Sequence, residues 1–301
     1  MPTEELIRSA LRAGDREQAL EWFEYRLDEA SRVRAVYQVW LEAMLEFGRA
    51  QVSGIDAYLE RMTDLIGSPP LAENDSALSV EASAVRAALR AGDVAVFEET
   101  LSRLREIELS IHDDEADWCW GLLTVFRDAL GEDALDEVFR VTQAPWLAER
   151  YGKLAEMTAS ESLELTVEGL RGHFSGRGRS GEVEVEERDD AWLLSFDPCG
   201  SGGRMRRGDQ ERGQAPRTQP PYRFGVTERG HDWSWQKEGV CLYCAHCAVV
   251  NEILPIEATG SPMRVVNYPE SPNEPCRWTI YKSPELVPDE AFERVGKTRR
   301  H

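Results

Sequence analysis

The string SALRAGD spans Ser9 to Asp15 and returns as AALRAGD from Ala87 to Asp93. Glycine accepts the left-handed conformation that ends a helix, and aspartate accepts hydrogen bonds from the free N–H groups that begin the next one. Each Gly-Asp pair therefore predicts a turn between two helices. An amphipathic segment and then a tryptophan-bearing one follow each turn, so the sequence predicts a duplicated helical unit of about eighty residues.

Apolar residues recur at helical spacing throughout the first half of the chain, which predicts a helical domain over residues 1–158. Its two copies would cover about residues 1–66 and 80–145, with Gly67 to Asp75 as the loop between them. The remaining residues, 159–301, would form a second domain, because most of the prolines and cysteines lie there.

In the second half the apolar period changes to two, which is typical of strands with one buried face. The pattern covers Leu163 to Glu168, Val183 to Glu186 and Trp192 to Phe196, and predicts an antiparallel meander whose first two strands are joined through Gly172 to Gly181. Helices are expected near Cys244 to Leu254 and near Asp289 to Val295. The predicted fold class is α+β: a duplicated α-helical domain followed by a cysteine-rich α+β domain with a small antiparallel sheet.

The charge is strongly acidic and unevenly distributed. The formal net charge is −20, and residues 1–150 contribute 31 acidic against 15 basic side chains. Such a field repels nucleic acid and anionic membranes, which excludes both as main partners. The first residues are acidic and amphipathic, unlike a signal peptide, and no run of apolar residues is long enough to span a bilayer, so a cytoplasmic location is expected. Six cysteines in such a chain indicate metal or redox chemistry rather than a disulfide scaffold.

The segment CLYCAHC spaces Cys241, Cys244 and Cys247 three residues apart, with His246 between the last two. A C-x-x-C turn lets two thiolates converge on one ion, which predicts zinc, although the same spacing also opens iron–sulfur sequences. His246 is either a ligand or a core histidine, because a helix from Cys244 would turn it toward apolar residues. The further ligand candidates are Cys199, His231, Cys276 and His173. Four ligands would close the metal shell and three would leave it open.

The segment DPCGSGGRMRR, from Asp197 to Arg207, joins a glycine-rich turn to a group of arginines. Inward-pointing N–H groups and guanidinium groups together bind carboxylate or phosphate. The sequence therefore predicts an anion site; its residues are Gly200, Ser201, Gly202, Gly203, Arg204 and Arg206. Two other interpretations stay open: a solvated loop whose arginines pair with the acidic domain, and a reactive Cys199 thiolate.

Two further features have simpler interpretations. In IHDDEADW, His112 and Glu115 stand three residues apart and form a candidate His/carboxylate pair, but a solvated helix face or an N-cap is the simpler expectation. Cys119, between Trp118 and Trp120, is expected to be a buried hydrophobic residue.

The strings DPCGSGGR, HDWSW, CLYCAHCAVVNEILPIE and VVNYPESPNEPCRWTIYK resemble a group of uncharacterised bacterial proteins over roughly residues 165–295. This resemblance implies no particular reaction. The layout of helices followed by a cysteine-bearing α+β part is also loosely similar to vinyl-reductase-like small-molecule-binding domains and to aminothiazoline-carboxylate hydrolases. That likeness is one of layout and assigns no catalytic residue.

The predicted function is a zinc-dependent enzyme, a hydrolase or lyase, that acts on a small anionic substrate. The metal would serve as Lewis acid, and the glycine/arginine turn would hold the substrate's carboxylate. One alternative is a non-enzymatic module, stabilised by zinc, that binds a partner or a small molecule. The other alternative is an iron–sulfur protein.

Overall fold

The computed structural model describes residues 1–71 and 75–299, apart from the side chains of residues 75, 144–146, 148, 149, 154 and 155. Its α-helices are α1 (Thr3–Arg12), α2 (Arg16–Gln51), α3 (Ile55–Ile66), α4 (Asp75–Ala91), α5 (Val94–Leu130), α6 (Leu135–Glu156), α7 (Ala159–Gly172), α8 (Gly202–Arg207), α9 (Leu242–Ala248), α10 (Leu254–Thr259) and α11 (Glu290–Glu293). A π-helical turn, Val249–Ile253, joins α9 to α10. The predicted helical first half and the two predicted C-terminal helices are confirmed.

Both Gly-Asp pairs form the predicted turns. Gly14 and Gly92 have positive φ angles of 79° and 72°. Asp15 accepts a hydrogen bond from the Gln18 N–H at 3.0 Å, and Asp93 accepts one from the Val96 N–H at 3.1 Å. The helices that follow are single and long, 36 residues in α2 and 37 in α5, where the sequence suggested two helices each. The duplication itself stays a prediction, and part of the predicted inter-copy loop, residues 72–74, lies outside the described residues.

The first predicted strand is wrong, because Leu163 to Glu168 lies inside α7. Thr158 caps this helix: its hydroxyl accepts the Glu161 N–H at 3.3 Å, and the Glu161 carboxylate accepts the Thr158 N–H at 2.7 Å. Leu163, Val167 and Leu170, at helical spacing, pack in one hydrophobic cluster with residues of the sheet. Alternation over six residues is too short to distinguish a strand from a helix, whereas the capping pair fixes the helix start.

The sheet has four antiparallel strands in the order β1, β2, β4, β3; they are β1 (Glu184–Glu187), β2 (Ala191–Phe196), β3 (Val265–Asn267) and β4 (Cys276–Tyr281). The hairpin of β1 and β2 confirms two of the predicted strands, and Val185 pairs with Leu194. The other neighbour of β2 is β4, and Phe196 pairs with Cys276. This register places Cys276 beside the last residue of β2, and the chain continues from there to Cys199.

The largest hydrophobic cluster joins the two halves of the chain. It contains residues of α2, α3, α5 and α6 together with residues between Met205 and Val295. Helix α5 lies at its centre, and the Trp120 indole N–H donates to the Gly225 carbonyl at 2.6 Å. The division at residue 158 stays a prediction, but the described residues on either side of it share buried contacts. None of the helices in residues 1–71 and 75–299 combines the length and apolarity needed to cross a bilayer.

Candidate functional site

The turn after β2 holds Cys199 among backbone N–H groups. Burial raises the pKa of the Cys199 thiol, and hydrogen bonds from the N–H groups of Ser201, Gly202 and Gly203 oppose that rise. Gly202 also approaches helix α9 closely, since a Cβ atom on it would lie 2.4 Å from Cys244 Sγ. The glycines thus bring a hydrogen-bonded thiol against the C-x-x-C segment.

Cys241 immediately precedes α9 and caps it, because its Sγ accepts the Cys244 N–H at 3.3 Å. A hydrogen bond from the Cys241 thiol lowers the pKa of Cys244, and the charge of Arg206 lowers it further, against the effect of burial. Burial raises the pKa of Cys241. Cys244 is therefore the thiol of this pair that loses its proton more readily.

Four cysteines from three separate segments line one pocket of about 60 Å³: Cys199 of the turn after β2, Cys244 and Cys247 of α9, and Cys276 at the start of β4. We call it the thiol pocket. Its other polar lining includes Ser201, His173, His246 and Arg206, and its aromatic lining includes Trp235, Tyr243, Tyr268 and Trp278. Burial raises the pKa of Cys247 and of Cys276. Most of the residues that the sequence singled out for metal and anion binding thus meet at one place.

Two other predicted ligands do not line the thiol pocket. Cys241 is 1% exposed and belongs to the hydrophobic cluster, although its thiol contacts Cys244 beside the pocket. His231 is 2.5 Å from a Glu132 carboxylate oxygen and stacks on Trp233 at 4.3 Å between ring centroids, in a different pocket. Cys119 is fully buried, as predicted. Throughout residues 1–71 and 75–299, no three His, Cys, Asp or Glu side chains are grouped so that they could hold one metal ion.

Two arginines of the predicted glycine/arginine turn, which the structure forms as helix α8, are already paired with carboxylates. Arg204, predicted to bind an anion, is 1% exposed, and its guanidinium lies 3.1 Å from Asp113 Oδ1 and 3.2 Å from Asp117 Oδ1. Arg207 pairs with Asp197 at 2.5 Å. Gly200 packs directly against the backbone of His173, because a Cβ atom on it would lie 1.6 Å from the His173 carbonyl oxygen. An incoming anion would have to displace carboxylates to reach Arg204.

The acidic segment of α5 is buried, which corrects the expectation of a solvated face. His112, Asp113, Glu115 and Asp117 are each at most 4% exposed. Although burial opposes ionisation, Arg204 and Arg179 hold the pKa of Asp113 well below its usual range. Asp117 also receives Arg217, whose Nη2 lies 2.6 Å from Oδ2. The acidic cluster is therefore the counterpart of arginines from the second half of the chain.

A polar network forms one wall of the thiol pocket. Ser201 Oγ lies 3.0 Å from His173 Nδ1 and 3.3 Å from His112 Nε2, and the Tyr37 hydroxyl donates to it at 2.9 Å. The Tyr37 and Tyr243 hydroxyls are 2.5 Å apart. Burial lowers the pKa of His112 to about 4 and places that of His173 well below its usual value, so both rings are neutral at pH 7. Because their pKa values lie so far below neutral pH, both imidazoles are weak bases, and in this state the network positions the Ser201 hydroxyl rather than activating it.

His112, a candidate partner of Glu115 from its spacing along the helix, contacts His173 in the structure. The two rings are 5.5 Å apart between centroids and meet edge to face. These residues lie 61 positions apart in the chain, so spacing along one helix carries no signal for this contact.

The chain matches no protein-family model, no curated protein and no solved structure.

Proposed function

We propose that the thiol pocket binds a transition metal, with zinc as the first candidate, and that the protein is a metal-dependent enzyme for a small anionic substrate. The supporting observation is that Cys199, Cys244, Cys247 and Cys276 line one pocket although they come from distant segments. Thiolates are preferred ligands of zinc. All six cysteines are free thiols, which agrees with the cytoplasmic location that belongs to this proposal.

Zinc binding would require the thiol side chains to rotate toward one another, because no three donors in the described residues are grouped for a single ion. It would also release protons, since burial favours the neutral thiols of Cys247 and Cys276. Cys244, whose pKa is lowered, would be deprotonated first. The affinity for the metal should therefore rise with pH.

The pocket also contains groups that a purely structural zinc site does not need. Arg206 lies over Tyr268 at 4.4 Å, and its Nη2 donates to the Pro269 carbonyl at 3.0 Å, so two contacts hold its guanidinium at the pocket. With three thiolates as ligands, the metal would polarise a bound water or substrate heteroatom. Arg206 would hold the substrate's carboxylate, and the Ser201 hydroxyl, which His173 positions at 3.0 Å, would offer a hydrogen bond to the substrate. With all four thiolates as ligands, the metal would have no open position for a substrate. The protein would then be the non-enzymatic binding module that zinc stabilises.

One observation favours an iron–sulfur cluster as a second candidate: four thiols from three segments surround one space. Iron–sulfur clusters are held by four cysteine thiolates. The aromatic side chains around the pocket would shield such a cluster from solvent.

Metal content and the absorption spectrum of the purified protein test the proposal and separate its two candidates. About one zinc per chain and a colourless protein support zinc, whereas iron with inorganic sulfide and a brown colour supports the cluster. Cys244→Ala, Cys247→Ala and Cys276→Ala should each lose metal, and Cys119→Ala, a buried thiol outside the pocket, should retain it. Absence of metal after reconstitution, or full metal content in all four variants, would refute the proposal.

Replacement of zinc by Co²⁺ tests the enzymatic role. In an open shell, a small carboxylate such as acetate should shift the d–d absorption bands, and Arg206→Ala should weaken that response. Bands of a four-thiolate site that do not respond to any anion would establish the closed shell of the binding-module alternative.

A further inference from the structure

A second cavity, of about 320 Å³, lies in the helical half between α2, α4, α5 and the end of α7. We call it the helical cavity. The surface of its lining is mainly apolar, with Leu27, Val33, Leu78, Leu104, Ile111 and Phe174 among its residues. Cavities of this size and character hold small molecules rather than only water, because apolar walls give water few hydrogen-bond partners.

Glu115 is the polar group whose position requires an explanation. Its side chain lines the helical cavity and is 1% exposed, and its Oε1 atom has no hydrogen-bond partner among the described residues. A buried carboxyl oxygen without a partner costs folding free energy. A bound ligand that offers a polar group to this oxygen would remove the cost.

Arg34 lies beside Glu115 in the same lining, with Nε 3.9 Å from Glu115 Oε1. Burial raises the pKa of Glu115 to about 9, although Arg34 opposes this, so the carboxyl is protonated at neutral pH and can donate a hydrogen bond. A guanidinium has five N–H donors and can bind a ligand while it keeps other contacts. The two side chains together present donors to the cavity.

Glu108 and Arg86, which also line the cavity, are paired within the protein. Glu108 receives both Nη atoms of Arg26 at 2.9 and 2.6 Å, and Arg86 gives Nε and Nη2 to Glu24 at 2.6 and 2.8 Å. Among the described lining residues, the one carboxyl outside these pairs is that of Glu115, which is protonated at neutral pH, so this lining offers a cationic ligand no charged acceptor. An anionic group fits the donors that the lining offers.

We propose that the helical cavity binds an amphipathic monocarboxylate, whose carboxylate lies between Arg34 and Glu115 and whose apolar part lies among Leu27, Leu104 and the other aliphatic side chains. This site shares none of the four pocket cysteines and does not depend on a metal. His112 lines the helical cavity and contacts Ser201 of the thiol pocket, so the two sites meet at the polar network.

Isothermal titration calorimetry with octanoate tests this proposal, with octylamine and octan-1-ol as probes of equal length. Octanoate should bind saturably at one site per chain, and both other probes should bind at least about tenfold more weakly, the difference that one charge-assisted hydrogen bond makes. Equal affinity for all three probes, a preference for octylamine or no binding of octanoate would overturn the proposal.

Substitutions locate the site. Arg34→Gln and Glu115→Ala should weaken octanoate binding about tenfold, whereas Glu115→Gln keeps a donor and should bind nearly as wild type. Arg103→Gln, an exposed arginine outside the cavity, is the control. Ala30→Leu narrows the cavity and leaves Arg34 and Glu115 unchanged. If Arg34→Gln does not fold, the octanoate affinity of Ala30→Leu tests whether the ligand lies in this cavity. Unchanged octanoate affinity in folded Ala30→Leu and Glu115→Ala would show that octanoate binds elsewhere and refute the site.

Discussion

The guanidinium of Arg204 and the carboxylate of Asp113 form an ion pair inside the protein, with Nε 3.1 Å from Oδ1 and side-chain exposures of 1% and 3%. The pair joins α8 to the middle of α5. Asp117, one helical turn further along, binds the same guanidinium at 3.2 Å. A residue that the sequence suggests for substrate binding therefore holds the two halves of the chain together.

Arg204→Ala should destabilise the protein by about 3–5 kcal/mol, because it leaves two buried carboxylates without this partner. The matched control is Arg207→Ala, which removes a pair with Asp197 that is 20% and 30% exposed and should cost at most about 1 kcal/mol. Urea unfolding followed by circular dichroism measures both changes. Similar losses in the two variants would mean that burial of the Arg204 pair has no special role.

The full chain should unfold in a single cooperative transition, because its largest hydrophobic cluster contains residues of both halves. A fragment of residues 1–158 should lose that transition, since residues such as Trp120 would then lose their covering from the second half. Tryptophan fluorescence and far-UV circular dichroism in urea test this. A fragment that unfolds as cooperatively as the full chain would instead establish the two independent domains that sequence composition suggests.

Glu115→Gln should become more stable relative to wild type as the pH rises from 5 to 8. In wild type the pKa of Glu115 is raised to about 9 by burial, so across this range the folded protein keeps a proton that the unfolded chain has released. Wild-type stability therefore falls with pH by up to ~1.4 kcal/mol per unit from this group, and glutamine removes that slope. Urea midpoints at pH 5, 6, 7 and 8 measure it, and parallel profiles for the two proteins would contradict the prediction.

Below pH 6.5 the protein should lose stability through its buried histidines. Burial lowers the pKa of both His112 and His246 to about 4, so between pH 6.5 and 4 the unfolded chain binds protons that the folded protein does not. The free energy of unfolding should fall by up to ~1.4 kcal/mol per pH unit for each ring. His246→Gln should have a shallower acid profile than wild type in thermal unfolding. An unchanged profile would mean that His246 is protonated in the folded state.

Local signals predicted the helices of the first half, the hairpin of β1 and β2, and the Gly-Asp turns at Gly14 and Gly92, because each depends on residues a few positions apart. The alternation of Leu163 to Glu168 does not reveal helix α7, whereas the capping pair of Thr158 and Glu161 directly before its apolar residues does. A period of two over six residues occurs in helices as well as in strands, but a capping pair marks a helix start. Strand β4, Cys276–Tyr281, is not among the strands that the sequence predicts.

The burial of the acidic segment of α5 cannot be predicted from the residues of that helix alone. Acidic residues are normally solvated, so Asp113 and Asp117 were expected at the surface. Their burial depends on Arg179, Arg204 and Arg217, which approach from segments 66 to 100 residues away. No pattern within the helix indicates those partners.

The sequence by itself determined the helix-rich first half, the presence of a small antiparallel sheet and the residue types that could bind a metal, because periodicity, caps and spacing act over a few residues. The tertiary structure decided which cysteines meet, that Arg204 is buried in ion pairs, and that Glu115 lines a cavity. These relationships arise when segments distant in the chain are packed around α5. Burial then fixes the ionisation of their side chains, which no local pattern specifies.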